Sequence, residues 1–393
     1  MNRMDRCYEI FGWRFTLTPV RLVFFALFML AALVIAVRLF TGFSYVTHLT
    51  DETPWGLWIG FDVMTGVALA GGGYSTALLV GGFHYRKYSV VTRSALLTSL
   101  LGYLLVMAGL FLDIGQWFNF WRPFVFWGYH SVLFEVFWCI STYTTILSLE
   151  FYEIITERIF KRTHKLILRA IPLLVILGLI FPIMHQSSLG GLFLIMKDSM
   201  YPLWWSPFLP LYFLISSFFV GSAMVYCESD LSRRAFGHCV DPLVMKSLTR
   251  TGASAMLFYL TLKIFDLTCY ELWGTLFNGS LQSNMYLLEI GVGVLAPLII
   301  HFTPLVDKKN GLLVYAWLVV AGLVFNRLNC VFTSLYKTGN YFPSIFEIAV
   351  TVGLCAAGCL LYCFLVENFN ILGGEHAHQV HIDAKNTHII GEE

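Results

Sequence analysis

Residues 54–80 read PWGLWIGFDVMTGVALAGGGYSTALLV. A hydrocarbon core about 30 Å thick needs roughly 20 apolar residues at 1.5 Å rise, so this stretch is long enough to cross it as a helix. Its one charged residue is Asp62. Eight residues past Pro54, that carboxylate sits about 12 Å down the helix, well below the headgroups. A charged acid at membrane depth costs about 2.5–3.5 kcal/mol on insertion scales, so it reads first as functional. The plainer alternative is that it bridges neighbouring helices. Gly56 and Gly60, then Gly66 and Ala70, have the small-xxx-small spacing of close helix packing.

The rest of the chain has the same character. It is 58% hydrophobic and 12% charged, with a mean hydropathy of +0.72, far from the roughly 45–50% apolar and 25% charged of soluble domains. Apolar stretches fall near 19–40, 55–80, 94–116, 128–150, 166–184, 208–227, 250–270, 282–301, 311–335 and 344–366. The fold class is therefore an all-α integral membrane protein with ten transmembrane helices. Cytoplasmic loops carry the lysine and arginine excess. Of 25 Lys and Arg, one set of loops and span ends holds only Arg38, Arg122, Lys197 and Lys337, while Lys263 and Arg327 lie within spans. The remainder crowd the other side, which places both termini in the cytoplasm. The first span is too long for a signal-peptide core and lacks a cleavage site, so it reads as a retained helix. No soluble domain of useful size remains, and the polar, His-bearing 371–393 reads as a mobile cytoplasmic tail. The nine cysteines include no CxxC, and Cys355, Cys359 and Cys363 recur on one helix face as small packing residues. There is no P-loop, dinucleotide fingerprint or zinc motif.

Four ionisable groups lie on consecutive spans, all toward the outer face: Asp62, Asp113, Glu135 and His185. They point to one site. Asp113 falls about one turn below the outer interface, where it either joins the site or faces water. Glu135 lies about 9 Å below Tyr129 among Phe134, Phe137 and Trp138, an apolar setting suited to a proton-exchanging acid. A hydrogen-bonded structural Glu is the alternative. His185, Gln186, Ser187 and Ser188 bring several donors and acceptors to one depth, and Gly190 and Gly191 read as a capping turn after them. Trp55, Trp58, Trp117, Trp121, Trp127, Trp204, Trp205 and Trp273 all belong to outer loops or outer span ends, a one-sided excess that suggests a docking surface or a lipophilic pocket. A second set follows in Glu228, Lys263, Asp266, Glu289, Arg327 and Glu347. Ion pairs of Arg327 with Asp266 or Glu289 would make these tolerable, and a cytoplasmic proton entry ending at Glu228 is the functional rival. A haem b anchor needs facing histidines. Only His130, His185 and His301 lie near span ends, so no haem, iron-sulfur cluster or metal is expected in this chain, with a His130–His185 pair leaving a cytochrome b-type anchor as an alternative.

The run Pro54–Asp62, the stretch Ser131-Val132-Leu133-Phe134-Glu135, the segment Met184-His185-Gln186-Ser187-Ser188-Leu189-Gly190, and Tyr341-Phe342-Pro343 resemble the NrfD/PsrC membrane-subunit family. The similarity covers about residues 16–368 and is nearest the ten-span branch typified by HybB, the membrane subunit of bacterial hydrogenase-2. The resemblance implies a quinone-reactive subunit of the bacterial cytoplasmic membrane, without redox cofactors of its own. Its partners would be a periplasmic ferredoxin-like iron-sulfur subunit and catalytic subunits of [NiFe]-hydrogenase type. It implies two four-helix bundles, spans 2–5 (within 41–190) and 6–9 (within 208–336), flanked by spans 1 and 10. It also implies that Asp62 and His185 are quinone-site residues and that Glu135 handles protons; on the reading of the residues, Asp62 and His185 hydrogen-bond menaquinone or ubiquinone, Trp58 or Trp117 lines the ring slot and Asp113 joins the site. Glu228, Asp266, Glu289 and Arg327 would continue a proton path. The rival classes are a secondary transporter or proton channel, and an anchor that only tethers its complex; the helices show no matching pair of Gly/Pro breaks of the transporter kind.

Overall fold

The computed structural model describes residues 6–10, 12–53, 55–159, 161–335, 337 and 341–372. Ten helices are long and apolar enough to cross a membrane: Pro19–Thr41, Trp58–Gly82, Arg86–Asp113, Val132–Arg158, Thr163–Met196, Leu209–Phe236, Pro242–Cys269, Leu281–Phe302, Gly311–Thr333 and Ile345–Asn368. We number them as spans 1 to 10. Their bounds follow local chemistry. Thr18, Ser131, Asp241, Ser280 and Ser344 each accept a backbone N–H of the first turn, which satisfies a donor the helix itself leaves unpaired. Glu347 completes a capping box with Ser344, and Gly237 ends span 6 in the left-handed region at φ 73°. Of the expected tail, 373–393 lies outside the described residues, as does Pro54.

Each of spans 2 to 5 packs on its sequence neighbour, and span 2 also touches span 5; spans 6 to 9 repeat that cycle, with span 9 returning to span 6. Spans 2 and 6 meet between the two sets, as do 2 and 9 and 5 and 6, while span 1 pairs with span 10, which leans on span 3. Glycines set the closest approaches. A Cβ on Gly322 of span 9 would stand 2.4 Å from the Gly293 Cα of span 8, and one on Gly221 of span 6 would stand 2.8 Å from the Gly71 backbone of span 2. Such contacts let dispersion act over whole helix faces where lipid offers no hydrophobic drive between helices.

A short hairpin, β1 (Arg6–Ile10) and β2 (Trp13–Leu17), precedes span 1 and was not legible in the sequence. It is tied to the far end of the chain: Arg14 N–H donates to Asn368 Oδ1 at 2.9 Å and Arg21 pairs with Glu367 at 2.6 Å. Residues 14 and 368 therefore lie at the same face. Two expectations need correction. Span 5 runs through Gly190 and Gly191 rather than ending there, and Gly190 instead meets the Leu209 carbonyl, which a Cβ would approach to 2.4 Å. Cys355 and Cys359 are exposed on span 10 rather than packed.

Gly322→Ala should destabilise the protein by about 1–3 kcal/mol or more, because the added methyl meets backbone and not a movable side chain. Thermal unfolding in detergent should show a lowered Tm. Gly274→Ala, with nothing within 4 Å of the added carbon, should leave Tm nearly unchanged.

Candidate functional site

Asp62 lies in a π-helical stretch of span 2, Trp58–Thr65. The wider turn changes the direction of the side chains it carries, and such turns recur at functional sites. Gly109 of span 3 leaves Asp62 room, since a Cβ there would stand 2.9 Å from its Cβ. The buried carboxylate accepts the Thr351 hydroxyl of span 10 at 2.8 Å. Beside it, Trp58 is buried and donates its indole N–H to the Glu347 carbonyl at 3.4 Å. The Glu347 carboxylate accepts from the Tyr341 hydroxyl and from the Ser344 N–H at 2.7 Å. Tyr341, outside the spans, has its phenol pushed up by burial and by that carboxylate. Arg38 of span 1, 1% exposed, donates to the carbonyls of Leu112, at 3.1 Å, and Ile114 at the end of span 3. The charges of Arg38 and Glu347 both act on Asp113, whose Oδ1 is buried without a hydrogen-bond partner. Asp62 and Asp113 thus belong to a polar seam among spans 1, 2, 3 and 10.

His185 is elsewhere. It is fully buried in span 5, with Tyr103 of span 3 at 2.5 Å from Nε2 and the Phe181 carbonyl at 2.8 Å from Nδ1. A carbonyl only accepts, so Nδ1 carries the proton, and in the neutral ring Nε2 accepts the Tyr103 hydroxyl. Tyr143 of span 4 completes this layer, its ring 4.6 Å from Tyr103 and 5.9 Å from His185. Gln186 donates to the Val67 carbonyl of span 2 at 2.9 Å, fixing the register of spans 2 and 5.

Glu135 is neither in the seam nor in the His185 layer, and it is exposed where burial was expected. It occupies the first turn of span 4, where the helix dipole favours an anion. Its Oε1 accepts the Ser188 hydroxyl of span 5 at 2.5 Å. Ser188 is one turn above His185, so the pair stands about 4.5 Å outward of the buried imidazole along span 5. Leu133 and Met184 on the two helices, and Trp121, Phe126, Trp127 and Tyr129 in the loop that leads into span 4, are exposed. Trp117, in the loop between spans 3 and 4, is also exposed and donates to the Leu39 carbonyl at 3.3 Å.

Below the His185 layer, a crevice of about 190 Å³ enters among spans 2 to 5. Tyr74 and Tyr143 line its deep end, Glu150 its wall, and Arg93 and Glu153 its mouth. Glu150 borders Gly178, where a Cβ would lie 3.1 Å from its Oε1.

The second set forms a separate network. Glu289 accepts from Trp204 Nε1 at 3.0 Å, Asn326 Nδ2 at 2.6 Å and Asn329 Nδ2 at 2.9 Å. Arg327 donates to Asn326 Oδ1 at 2.7 Å and Ser216 Oγ at 2.6 Å, with Phe213 stacked at 3.7 Å. The expected ion pair of Arg327 with Glu289 is therefore replaced by an amide bridge through Asn326. No ion pair of Arg327 with Asp266 forms among the described residues either; Asp266 Oδ1 is buried without a partner. Lys263 is buried against the Tyr212 ring at 4.2 Å. Glu228 accepts the hydroxyls of Tyr362 and, at 3.3 Å, Ser232, and its Oε2 has no partner.

Asp62, Asp113, Glu135 and His185 are thus held in three settings, correcting the expectation of one cluster. Tyr103 and Tyr143 were missed because they carry no charge. Arg38 registered only as an outlier in the charge bias, and Glu150 lies at the very end of the expected span 128–150. Among the described residues, no group of three or more His, Cys, Asp or Glu is placed to hold a metal ion.

The family described as "Polysulphide reductase, NrfD" matches residues 45–338. A protein of Nitratidesulfovibrio vulgaris strain Hildenborough is 30% identical over 370 residues, covering 91% of this chain and 95% of the relative. The "Probable Ni/Fe-hydrogenase 2 b-type cytochrome subunit" of Escherichia coli K12 is 29% identical over 371 residues, covering 92% and 94%. The "Menaquinone reductase, integral membrane subunit" of N. vulgaris is 30% identical over 240 residues, covering 56% and 55%. The b-type name raises haem, and the residues here do not fit it: both ring nitrogens of His185 are held by protein partners, His130 is exposed in the loop just before span 4, and His301 ends span 8 near the opposite face. With its ten spanning helices and this match over most of its length, the chain is a multi-pass integral membrane protein of the NrfD polysulphide reductase family.

Proposed function

We propose that this protein is the quinone-reactive membrane anchor of a respiratory oxidoreductase complex. Electrons pass between a periplasmic iron-sulfur partner, in a complex of [NiFe]-hydrogenase type, and the menaquinone or ubiquinone pool. The names of two relatives, a hydrogenase subunit and a menaquinone reductase subunit, support this class. The observation that carries it is the exposed Glu135–Ser188 pair, set between spans 4 and 5 one turn outward of buried His185. A quinone takes up two protons with two electrons, so its site must join an apolar approach to an exchangeable group. Glu135 offers that group at the edge of the protein, where a lipid-borne headgroup arrives laterally past Met184 and Leu133. The exposed Trp121, Phe126 and Trp127, in the loop that leads into span 4, offer the iron-sulfur partner a surface on the same side.

In this reading His185 and Tyr103 are the second proton station, and the Glu150 crevice carries water toward them from the basic face. Asp62 and Asp113, held in their own seam, act on the site from the side rather than as its floor. Glu228, Asp266, Glu289 and Arg327 belong to a second route through spans 6 to 10, in which hydroxyls partner Glu228 and an amide joins Glu289 to Arg327.

Glu135→Gln keeps the shape and the Ser188 contact and removes the exchangeable proton. Assembly of the complex should be intact and quinone-linked turnover should fall on the order of 100-fold. Normal turnover in this variant would remove Glu135 from the mechanism. Tyr103→Phe leaves His185 Nε2 buried without its donor, and should cost about 1–3 kcal/mol of stability while slowing turnover. Unfolding and quinone-reduction assays on the same preparation separate the two effects.

A further inference from the structure

A cavity of about 560 Å³ opens where span 7 begins and span 8 ends, on the lysine- and arginine-rich face. Lys246 and Arg250, one turn apart on span 7, stand on one wall, and His301, from the last turn of span 8, stands on the other. His301 is 7% exposed and its Nδ1 has no hydrogen-bond partner, while both cations are near enough to act on the imidazole. Asp307 also lines the cavity and pairs with Lys246, but both are exposed, so water screens that contact. Lys87 adds a cation at the rim, donating to the lining residue Ser247 at 2.6 Å. Leu243 and Phe302 flank the opening and are strongly exposed.

We propose that this cavity binds the phosphodiester headgroup of an anionic phospholipid. The cations sit at the height of the helix ends, where lipid phosphates lie, and each basic residue near such a surface contributes appreciable attraction. Arg250 and Lys246 face the phosphate oxygens, and His301 offers Nδ1 to a headgroup hydroxyl or phosphate oxygen deeper in. A free anion would need the charges alone; the exposed Leu243 and Phe302 supply the apolar flank that acyl chains require. This site is independent of the quinone reading.

The test uses the full-length protein in phosphatidylcholine nanodiscs doped with spin-labelled phosphatidylglycerol, with the immobilised fraction read by electron paramagnetic resonance. Phosphatidylglycerol should be retained over labelled phosphatidylcholine. Lys246→Gln combined with Arg250→Gln should weaken retention roughly five-fold per charge removed, and Asp307→Asn should strengthen it. These are exposed residues, and an unchanged Tm for the variants confirms that the fold is kept. Equal retention by the double variant would overturn the proposal. So would displacement of the lipid by millimolar inorganic phosphate, which would mark a site for free anions.

Discussion

An ionised group in hydrocarbon must find its solvation inside the protein, and this constraint organises the molecule. Arg38 is answered by the open carbonyls at the end of span 3, Asp62 by Thr351, Glu347 by Tyr341 and its own cap, and Arg327 by Asn326 and Ser216. The answers from Leu112, Thr351 and Ser216 come from a different span, so each of these is also a tie between helices. Hydrogen bonds to charged groups are worth about 1.5–3 kcal/mol, and losing one partner leaves the other buried and unpaired. Arg327 and Glu289 show the more economical form: one amide, Asn326, donates to the acid and accepts from the base, which avoids direct contact of two dehydrated charges.

Glu135 departs from that pattern. It has one hydrogen-bonding side chain as neighbour and an open side toward the surroundings of the protein. The nearby histidine is turned inward and both its nitrogens are occupied. Exposed acid, serine, buried imidazole and two tyrosines form a graded series from the edge of the helix set to its interior. The first member is open at that edge without any helix having to move apart.

The ten spans were legible because bilayer thickness sets a length that 19–40 or 344–366 cannot meet by accident. Depth along each helix was legible for the same reason, since rise per residue is fixed. Direction around the axis was not. Asp62 sits in a π-helical stretch that turns it toward span 10, His185 points into the helix set, and Glu135 points out of it. Each residue adds 100° of rotation, so a small error in helix phase moves a side chain from core to lipid. Tyr103 and Tyr143 are invisible to any search for charge, and the N-terminal hairpin owes its place to Asn368 and Glu367 more than 350 residues away in sequence.

The central claim is that the quinone headgroup meets Glu135 and Ser188 at the exposed edge between spans 4 and 5. Photo-crosslinking of the intact complex with an azidoquinone, followed by peptide mapping, tests it most directly. The account predicts labelling in the first turns of span 4 and around Met184–Ser188, competed by unlabelled quinone. Competed labelling confined to the Trp58–Thr351 seam, or to spans 6 to 9, would contradict it.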